Sequence, residues 1–580
     1  MTDLSTFGLG FLDYLAMAAF LVGLSIVGYL SGRKERTNAE GYFLAGRALP
    51  WYVVGGSFIA SNISTEHFIG MIGAAFIYGT CVAVSEWANV FSFSLIIWFF
   101  IPFLMASRVF TMPEFLERRF NGLMRQFFAL VTVISNVVAF LAAVLYGGGL
   151  ALHTLFGWNL YVSILVIGLF SGVWAIYGGL SSVAWTDFFT VIVMIAGGMS
   201  VTILGLQMLA GESGSIVDGF SVMIEANKAH SGVWKEAVDA TAMQVAGTSH
   251  YNRLSVIQPV THKLWPWPSI FFATFSLSIW YNVLNQFMIQ RVLGAKDIYH
   301  ARMGIVFAGL IKVMMPVIVV LPGLILFAKY PEVMLKPWDQ VQPEADKGYV
   351  HMLQTIVPVG LRGLFLAALF GAIQSTVNSV LNSSATIITL DFYKRIWVPE
   401  ASQEKLVIVG VAASSAVLVV SMVLAAFIDK LGGSLFVYIQ SLYAFFAPPF
   451  AAVFLMGILF RRVNATGATA SVFAGFALGI ALKIYVQWIP DHPAWIEPYL
   501  NQAMINWVFC VCICLGVSLL TPPPRPDQVT HDLMIDFRAL ALGGTLGTRW
   551  YNHVVLWWLV FAVSIALLSM FFSGLVFPLE

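Results

Sequence analysis

The chain has 580 residues, 59% apolar and 10% charged, with a formal charge of +1; soluble domains run at about 45–50% apolar and roughly 25% charged. Thirty basic and twenty-nine acidic side chains cannot cover that much apolar surface in water, so a soluble protein is excluded, and so is a nucleic-acid binder, which needs a clustered basic face. Four cysteines are too few for a disulfide scaffold.

A helix needs about 20 apolar residues to cross a hydrocarbon core of about 30 Å. Fourteen runs approach that length: 12–31, 50–78, 80–105, 126–151, 158–178, 184–208, 266–294, 302–330, 354–390, 405–428, 434–459, 467–489, 500–521 and 551–577. They predict an all-α polytopic membrane protein of about fourteen transmembrane helices; a barrel is excluded because its strands would alternate apolar and polar residues. The first run has Asp3 and Asp13 where a signal peptide carries basic residues, and lacks a small-residue cleavage site, so it reads as a retained span.

Basic residues alternate between the two sets of loops. Nineteen, among them Arg33, Arg47, Arg118, Arg291, Arg302, Arg462 and Arg549, fall in one set; ten, among them Lys228, Arg253, Lys336 and Arg362, fall in the other. Cytoplasmic loops carry the excess, which places both termini outside. Segments 209–265 and 331–353 read as amphipathic or loop-like outer caps, and 522–549, with three consecutive prolines, as a cytoplasmic connector. Lys312 alone of the thirty belongs to neither set and lies deep inside a run.

Ionisable groups in hydrocarbon are functional candidates by default. Here they are Glu66 and His67 in the second run, Glu86 in the third and Lys312 in the eighth, with Asp187 just inside the cytoplasmic end of the sixth. Snorkelling or structural pairing is the competing reading, strongest for Asp187 because of its position near the interface. Lys312 lies near mid-depth and reaches water only through a cavity.

The second run has a small and polar middle, Gly55 to His67, which predicts a broken helix, since unpaired carbonyls are tolerated only where they line a cavity or bind an ion. The ninth run is similarly polar from Gln374 to Ser384; hydroxyls and carbonyls without a carboxylate suit a loosely held hard cation, while interhelical packing is the plainer alternative. In the seventh run Ser276, Ser278, Trp280, Tyr281, Asn282, Asn285 and Gln286 set amides and hydroxyls beside aromatic rings, a combination suited to a polyhydroxylated ligand. Phe436, Tyr438, Gln440 and Tyr443 extend it in the eleventh run. No G-x-S-x-G, Walker A or H-E-x-x-H motif points to an enzyme. Cys510, Cys512 and Cys514 read as packing.

Several motifs together resemble the sodium/solute symporter family, most nearly the sodium/glucose and sodium/galactose cotransporters. They are Gly41 to Trp51 (GYFLAGRALPW), Ala60 to Gly70 (ASNISTEHFIG), Ser85-Glu86-Trp87, Tyr177 to Leu180 with Trp185-Thr186-Asp187, Asn285 to Lys296 (NQFMIQRVLGAK), and Leu381 to Thr386 (LNSSAT) with Asp391-Phe392-Tyr393. The resemblance spans nearly the whole chain. It implies a single transporter domain over 1–580 with a five-plus-five inverted repeat of the leucine-transporter type, at about 50–208 and 266–459, and peripheral helices at 12–31, 467–489, 500–521 and 551–577.

The resemblance further implies sodium as the coupling ion, held by Ala60, Ile63 and Ala372 carbonyls and Ser375 and Thr376 hydroxyls, with Asp187 near the inner exit. It implies import of a small neutral sugar or polyol on His67, Glu86, Asn89, Ser278, Lys312 and Gln440. Tyr281 would cap the solute as inner gate, and Met71 and Phe436 would serve the outer gate. Other solutes of such symporters are myo-inositol, amino acids and carboxylates. Ser278 stands where the bacterial galactose transporter has asparagine, Asn282 where a tryptophan is usual, and His67 where bacteria have glutamine and animal glucose transporters histidine; Asn62, His67, Glu86 and Tyr281 would then form a second sodium site. The absence of N-x-S/T sequons from the outer loops fits a bacterial inner membrane.

Overall fold

Eleven helices among the described residues are long and apolar enough to cross a membrane. The structure is a computed structural model that describes residues 8–33, 38–64, 66–428, 435–535 and 546–579, with the side chains at 349, 353 and 435–438 outside the description. Among these residues the apolar runs are mostly helical, and the sheet-like pairing present is two isolated bridges, Leu49 with Ala295 and Gln258 with Pro266.

The fourteen apolar runs do not become fourteen separate helices. Helix α1 is Phe11–Gly32. The second run divides: α2, Trp51–Asn62, ends where Ile63 turns to extended backbone (φ −84°, ψ 118°). Wider π turns at Glu66–Met71 then open a helical stretch that continues to Ser107 and absorbs the third run. After the fourth run, Gly122–Phe156, the fifth and sixth share α3, the 51-residue Leu160–Ala210. Its bend is at Gly179, φ 58° and ψ −151°, a conformation essentially confined to glycine, and a Cβ there would lie 2.1 Å from the Tyr42 carbonyl oxygen.

The seventh run repeats the pattern of the second. Trp267–Ala273 passes into π turns at Thr274–Ser278 and Trp280–Leu284, Asn285 is extended (φ −68°, ψ 119°), and α4, Gln286–Leu293, resumes beyond it. These interruptions keep the second and seventh runs from appearing as uninterrupted spans. The eighth run contains α5, Ile298–Val319.

Helix α6, Arg362–Ile387, is buried along almost its whole length and stays unbroken despite its polar centre. Its hydroxyls return to their own turn: Ser379 donates to Ser375 O at 2.6 Å, Ser383 to Val380 O at 3.1 Å and Thr386 to Asn382 O at 2.7 Å. Around this core stand α7, Gln403–Ala425, α8, Leu435–Leu459, α9, Ala465–Trp488, α10, Tyr499–Leu520, and α11, Val554–Phe571. The last buries only Val554, Phe561 and Ile565 and presents the rest of its apolar surface outward, as expected where lipid is the solvent.

Four arginines counted with the loops by position are instead buried, at most 1% exposed: Arg119, Arg253, Arg291 and Arg302. Arg253 and Arg302 satisfy backbone oxygens of the second and third runs. Arg302 donates to Ile97 O at 3.0 Å, and Arg253 to Ile77 O and Phe76 O, each at 2.7 Å, closing the helix Ile72–Tyr78. The 209–265 cap contains helices Ile216–Lys228 and Gly232–Ala246; the 331–353 cap is mostly helical too. Cys510 and Cys514 are buried and unbonded to sulfur, while Cys512 is exposed.

Candidate functional site

The broken second run, the third, the seventh, α5 and α8 converge on one polar cavity, with about 80 Å³ open to the centres of water molecules, room for several of them. His67, Glu86, Asn89, Ser278, Tyr281, Lys312 and Gln440, the seven residues expected to bind solute, all line it, as do Asn62, Glu66, Met71, Trp265, Asn282 and Tyr443. The π turns at Glu66–Met71, Thr274–Ser278 and Trp280–Leu284 carry six of these side chains: Glu66, His67, Met71, Ser278, Tyr281 and Asn282. A π turn adds a residue to the helical repeat and so rotates the following side chains, here at a functional position.

Charge in the cavity is paired. Lys312 Nζ donates to Glu86 Oε2 at 2.6 Å and also to Asn62 Oδ1. Lys312 is 1% and Glu86 2% exposed, so each would carry a severe desolvation penalty alone. His67 Nε2 lies 3.3 Å from Glu86 Oε1, while its Nδ1 accepts from the Ser64 backbone N–H at 3.3 Å. With Nδ1 an acceptor, Nε2 holds the proton and donates to Glu86. Gln440 Nε2 donates to Glu66 Oε1 at 2.9 Å, joining α8 to the broken second run. Asn282 Nδ2 donates to Asn89 Oδ1 at 2.8 Å and Ser92 Oγ at 3.2 Å, which turns Asn282 toward the third run.

Tyr281 packs in an aromatic cluster, its ring centroid 6.0 Å from Phe140, 5.8 Å from Phe287 and 5.7 Å from Tyr443. Met71 is buried and lines the cavity beside Ser85. The Phe436 side chain lies outside the described residues. Of the four residues expected to hold a second sodium, Asn62 and Glu86 already direct oxygens at the Lys312 ammonium.

Beyond the cavity, the first break meets the core. Thr376 Oγ1 donates to Ser61 O at 3.4 Å and Ile63 O at 3.3 Å, so the hydroxyl of α6 sits against the carbonyls released by the break. Ala60 and Ala372 are fully buried on α2 and α6. Ser375 Oγ adjoins Asp187 without an aligned hydrogen bond.

Asp187, expected near the cytoplasmic end of its run, is fully buried among protein groups, and Oδ2 receives Ser57 Oγ at 2.7 Å, Ser61 Oγ at 3.1 Å and Arg291 Nη2 at 3.3 Å. Arg291 also donates to Ser57 Oγ at 2.7 Å and to Ser379 Oγ and Phe287 O. The break at Asn285 carries α4 into the core, and Arg291 with it. Sequence position alone hid Arg291, as it hid Trp265, which precedes the seventh run.

Residues 42–475 match the model of the sodium:solute symporter family. The chain belongs to that family. This symporter is 33% identical over 543 residues to a sodium/glucose cotransporter of Vibrio parahaemolyticus, covering 92% of this chain and 95% of that one. It is 32% identical over 546 residues to a sodium/myo-inositol cotransporter of Mus musculus, covering 89% of this chain and 74% of the relative. Its fold matches that of a Na+-coupled sialic acid symporter in a substrate-bound outward-open state, with a TM-score of 0.71 at 21% identity, over 89% of this chain and 99% of the other. The symporter is therefore an integral membrane transporter, not an enzyme, that couples the movement of a solute to sodium.

Proposed function

We propose that the symporter imports a small neutral hexose or cyclic polyol, glucose or galactose first and myo-inositol second, by alternating access. The observation that carries this reading is the buried Lys312–Glu86 pair in the cavity wall. Among the described lining residues Lys312 is the one lysine or arginine, and it is already matched by Glu86 with Glu66 nearby, which disfavours an anionic solute. Amides, carboxylates and an ammonium beside Tyr281 and Tyr443 suit a ring with hydroxyls on its edge and C–H bonds on its face.

The same proposal assigns sodium to the Ala60, Ile63 and Ala372 carbonyls and the Ser375 and Thr376 hydroxyls, with Asp187 on the inner exit route. Support comes from Thr376, whose hydroxyl reaches the carbonyl oxygens at the break. The arginine-rich ends of the helices face the cytoplasm, both termini face out, and the membrane is a bacterial inner membrane. The repeats run over about 50–208 and 266–459, supported by the matching breaks at Ile63 and Asn285. One sodium falling through about 100 mV releases about 2.3 kcal/mol, and a tenfold gradient adds about 1.4 kcal/mol. Together these sustain a solute gradient of roughly 500-fold per ion.

Uptake of labelled glucose, galactose and myo-inositol into proteoliposomes, with and without an inward sodium gradient, tests the reading alongside Gln440→Ala. Sodium-driven accumulation of one of them, weakened by the substitution, is expected. Sodium-driven uptake of none of the three overturns it.

A further inference from the structure

We propose that Trp265 is a solute-contacting, specificity-determining residue: its indole packs on the C–H face of the transported ring, and its Nε1–H donates to a ring hydroxyl. The inference rests on the hexose-or-polyol reading above and extends it to a residue outside the helices that build the rest of the site.

Three observations meet at Trp265. It lines the same cavity as Glu86, Lys312 and Gln440, although it precedes the helix Trp267–Ala273 and belongs to the connecting segment. The side chain is 6% exposed, yet Nε1 is buried with no hydrogen-bond partner. A buried indole N–H ordinarily finds an acceptor, and leaving it bare costs about 1–3 kcal/mol. A ligand hydroxyl in the cavity is the acceptor this position lacks.

The third observation is that the backbone holding this ring is built to a fixed shape. His262 Nδ1 accepts from the backbone N–H groups of Leu264 at 3.3 Å and Trp265 at 3.0 Å. Pro266 follows, and Trp267 N donates to Gln258 O at 3.1 Å. Gln258 is itself anchored, donating to Asn252 O at 2.7 Å and Ser255 O at 2.8 Å. The indole is therefore presented on a preorganised turn, the arrangement that binding surfaces use to avoid an ordering cost. Asn282, on the neighbouring helix, cannot supply a ring, and its amide nitrogen is committed to Asn89 and Ser92.

The test compares Trp265→Leu and Trp265→Phe in the full-length protein in proteoliposomes. Losing the ring raises KM for the transported hexose or inositol by about tenfold or more, the equivalent of about 1.4 kcal/mol. The sodium concentration giving half-maximal uptake stays within about twofold, because the sodium ligands proposed above lie elsewhere. Trp265→Phe keeps the face and loses the donor: KM rises less than in the leucine variant, and the deoxy analogue lacking the hydroxyl that Nε1 serves is penalised in the unsubstituted protein but not in the phenylalanine variant. Unchanged KM in both variants, or equal penalties for every deoxy analogue, overturns the proposal. Accumulation of none of the three solutes by the unsubstituted protein instead overturns the hexose-or-polyol reading. In that case Trp265→Cys on a Cys512→Ser background is treated with a hydrophilic methanethiosulfonate reagent: labelling keeps Trp265 on the solute path, and protection from the reagent removes it.

Discussion

Lys312 and Glu86 are 226 positions apart in the chain and 2.6 Å apart in the structure, on two helices packed together at the cavity wall. Neither charge has bulk water to fall back on, so each makes the other tolerable.

Lys312→Met therefore leaves Glu86 buried and uncompensated, and is expected to cost about 3–5 kcal/mol of stability. Adding Glu86→Gln restores much of that loss without restoring uptake, since the polar contacts to the solute are gone. Thermal unfolding of the purified single and double variants, with uptake measured in parallel, checks both halves. A double variant no more stable than the single one refutes the pairing argument.

Thr376→Val removes the hydroxyl that stands against the Ile63 carbonyl while keeping the volume of the side chain. Half-saturating sodium is expected to rise about fivefold, the equivalent of the about 1 kcal/mol that one hydroxyl contact contributes. Hexose KM at saturating sodium stays close to that of the unsubstituted protein. Sodium titrations of uptake separate the two, and an unchanged sodium dependence removes Thr376 from the ion's ligands.

The turn that carries Trp265 depends on an unprotonated His262, because Nδ1 accepts two backbone N–H groups. Burial pushes the imidazole down from 6.5 to about 3. A proton taken up on unfolding and not in the folded state makes stability fall as pH drops. The contribution is complete above about pH 6.5 and is lost toward pH 3, at up to about 1.4 kcal/mol per pH unit. Asparagine places Oδ1 where Nδ1 stands and does not titrate, so His262→Asn is expected to flatten this part of the profile of melting temperature against pH. An equally steep profile in the variant assigns the acid loss to other groups.

Gly179→Ala forces a Cβ against the Tyr42 carbonyl at a backbone conformation that non-glycine residues scarcely adopt. Strain and clash together are expected to cost at least about 1–3 kcal/mol. Less folded protein in the membrane fraction and a lower melting temperature would be seen; an unaffected variant shows that the long helix relaxes at its bend.

Much of this was legible from residue order because the membrane imposes harsh rules. A lysine at mid-depth in an apolar run announces a cavity, and a run as polar as Gly55 to His67 announces a break; Lys312 and Ile63 are where those rules point. Position in the chain says little about which distant side chains tertiary structure brings together. Arg291, near the end of the seventh run, counts as a loop cation, yet beyond the turn at Asn285 it lies in the core, where it meets an aspartate 104 residues earlier. Asp187, read as near an interface, takes its partners from α2, α4 and α6, a convergence that residue order alone does not reveal. Trp265 escaped because an aromatic residue just outside a span ordinarily belongs to the interfacial belt.

The twin interruptions at Ile63 and Asn285 have one more consequence. A peptide that leaves helical geometry frees carbonyl oxygens and, at the same joint, gives the rod a place to flex. Grip on a cargo and ease of bending are then written into the same few bonds. A substitution that tightens the grip at such a joint also stiffens it, so variants selected for stronger capture should turn over more slowly, and a fast transporter of this build must hold its cargo loosely.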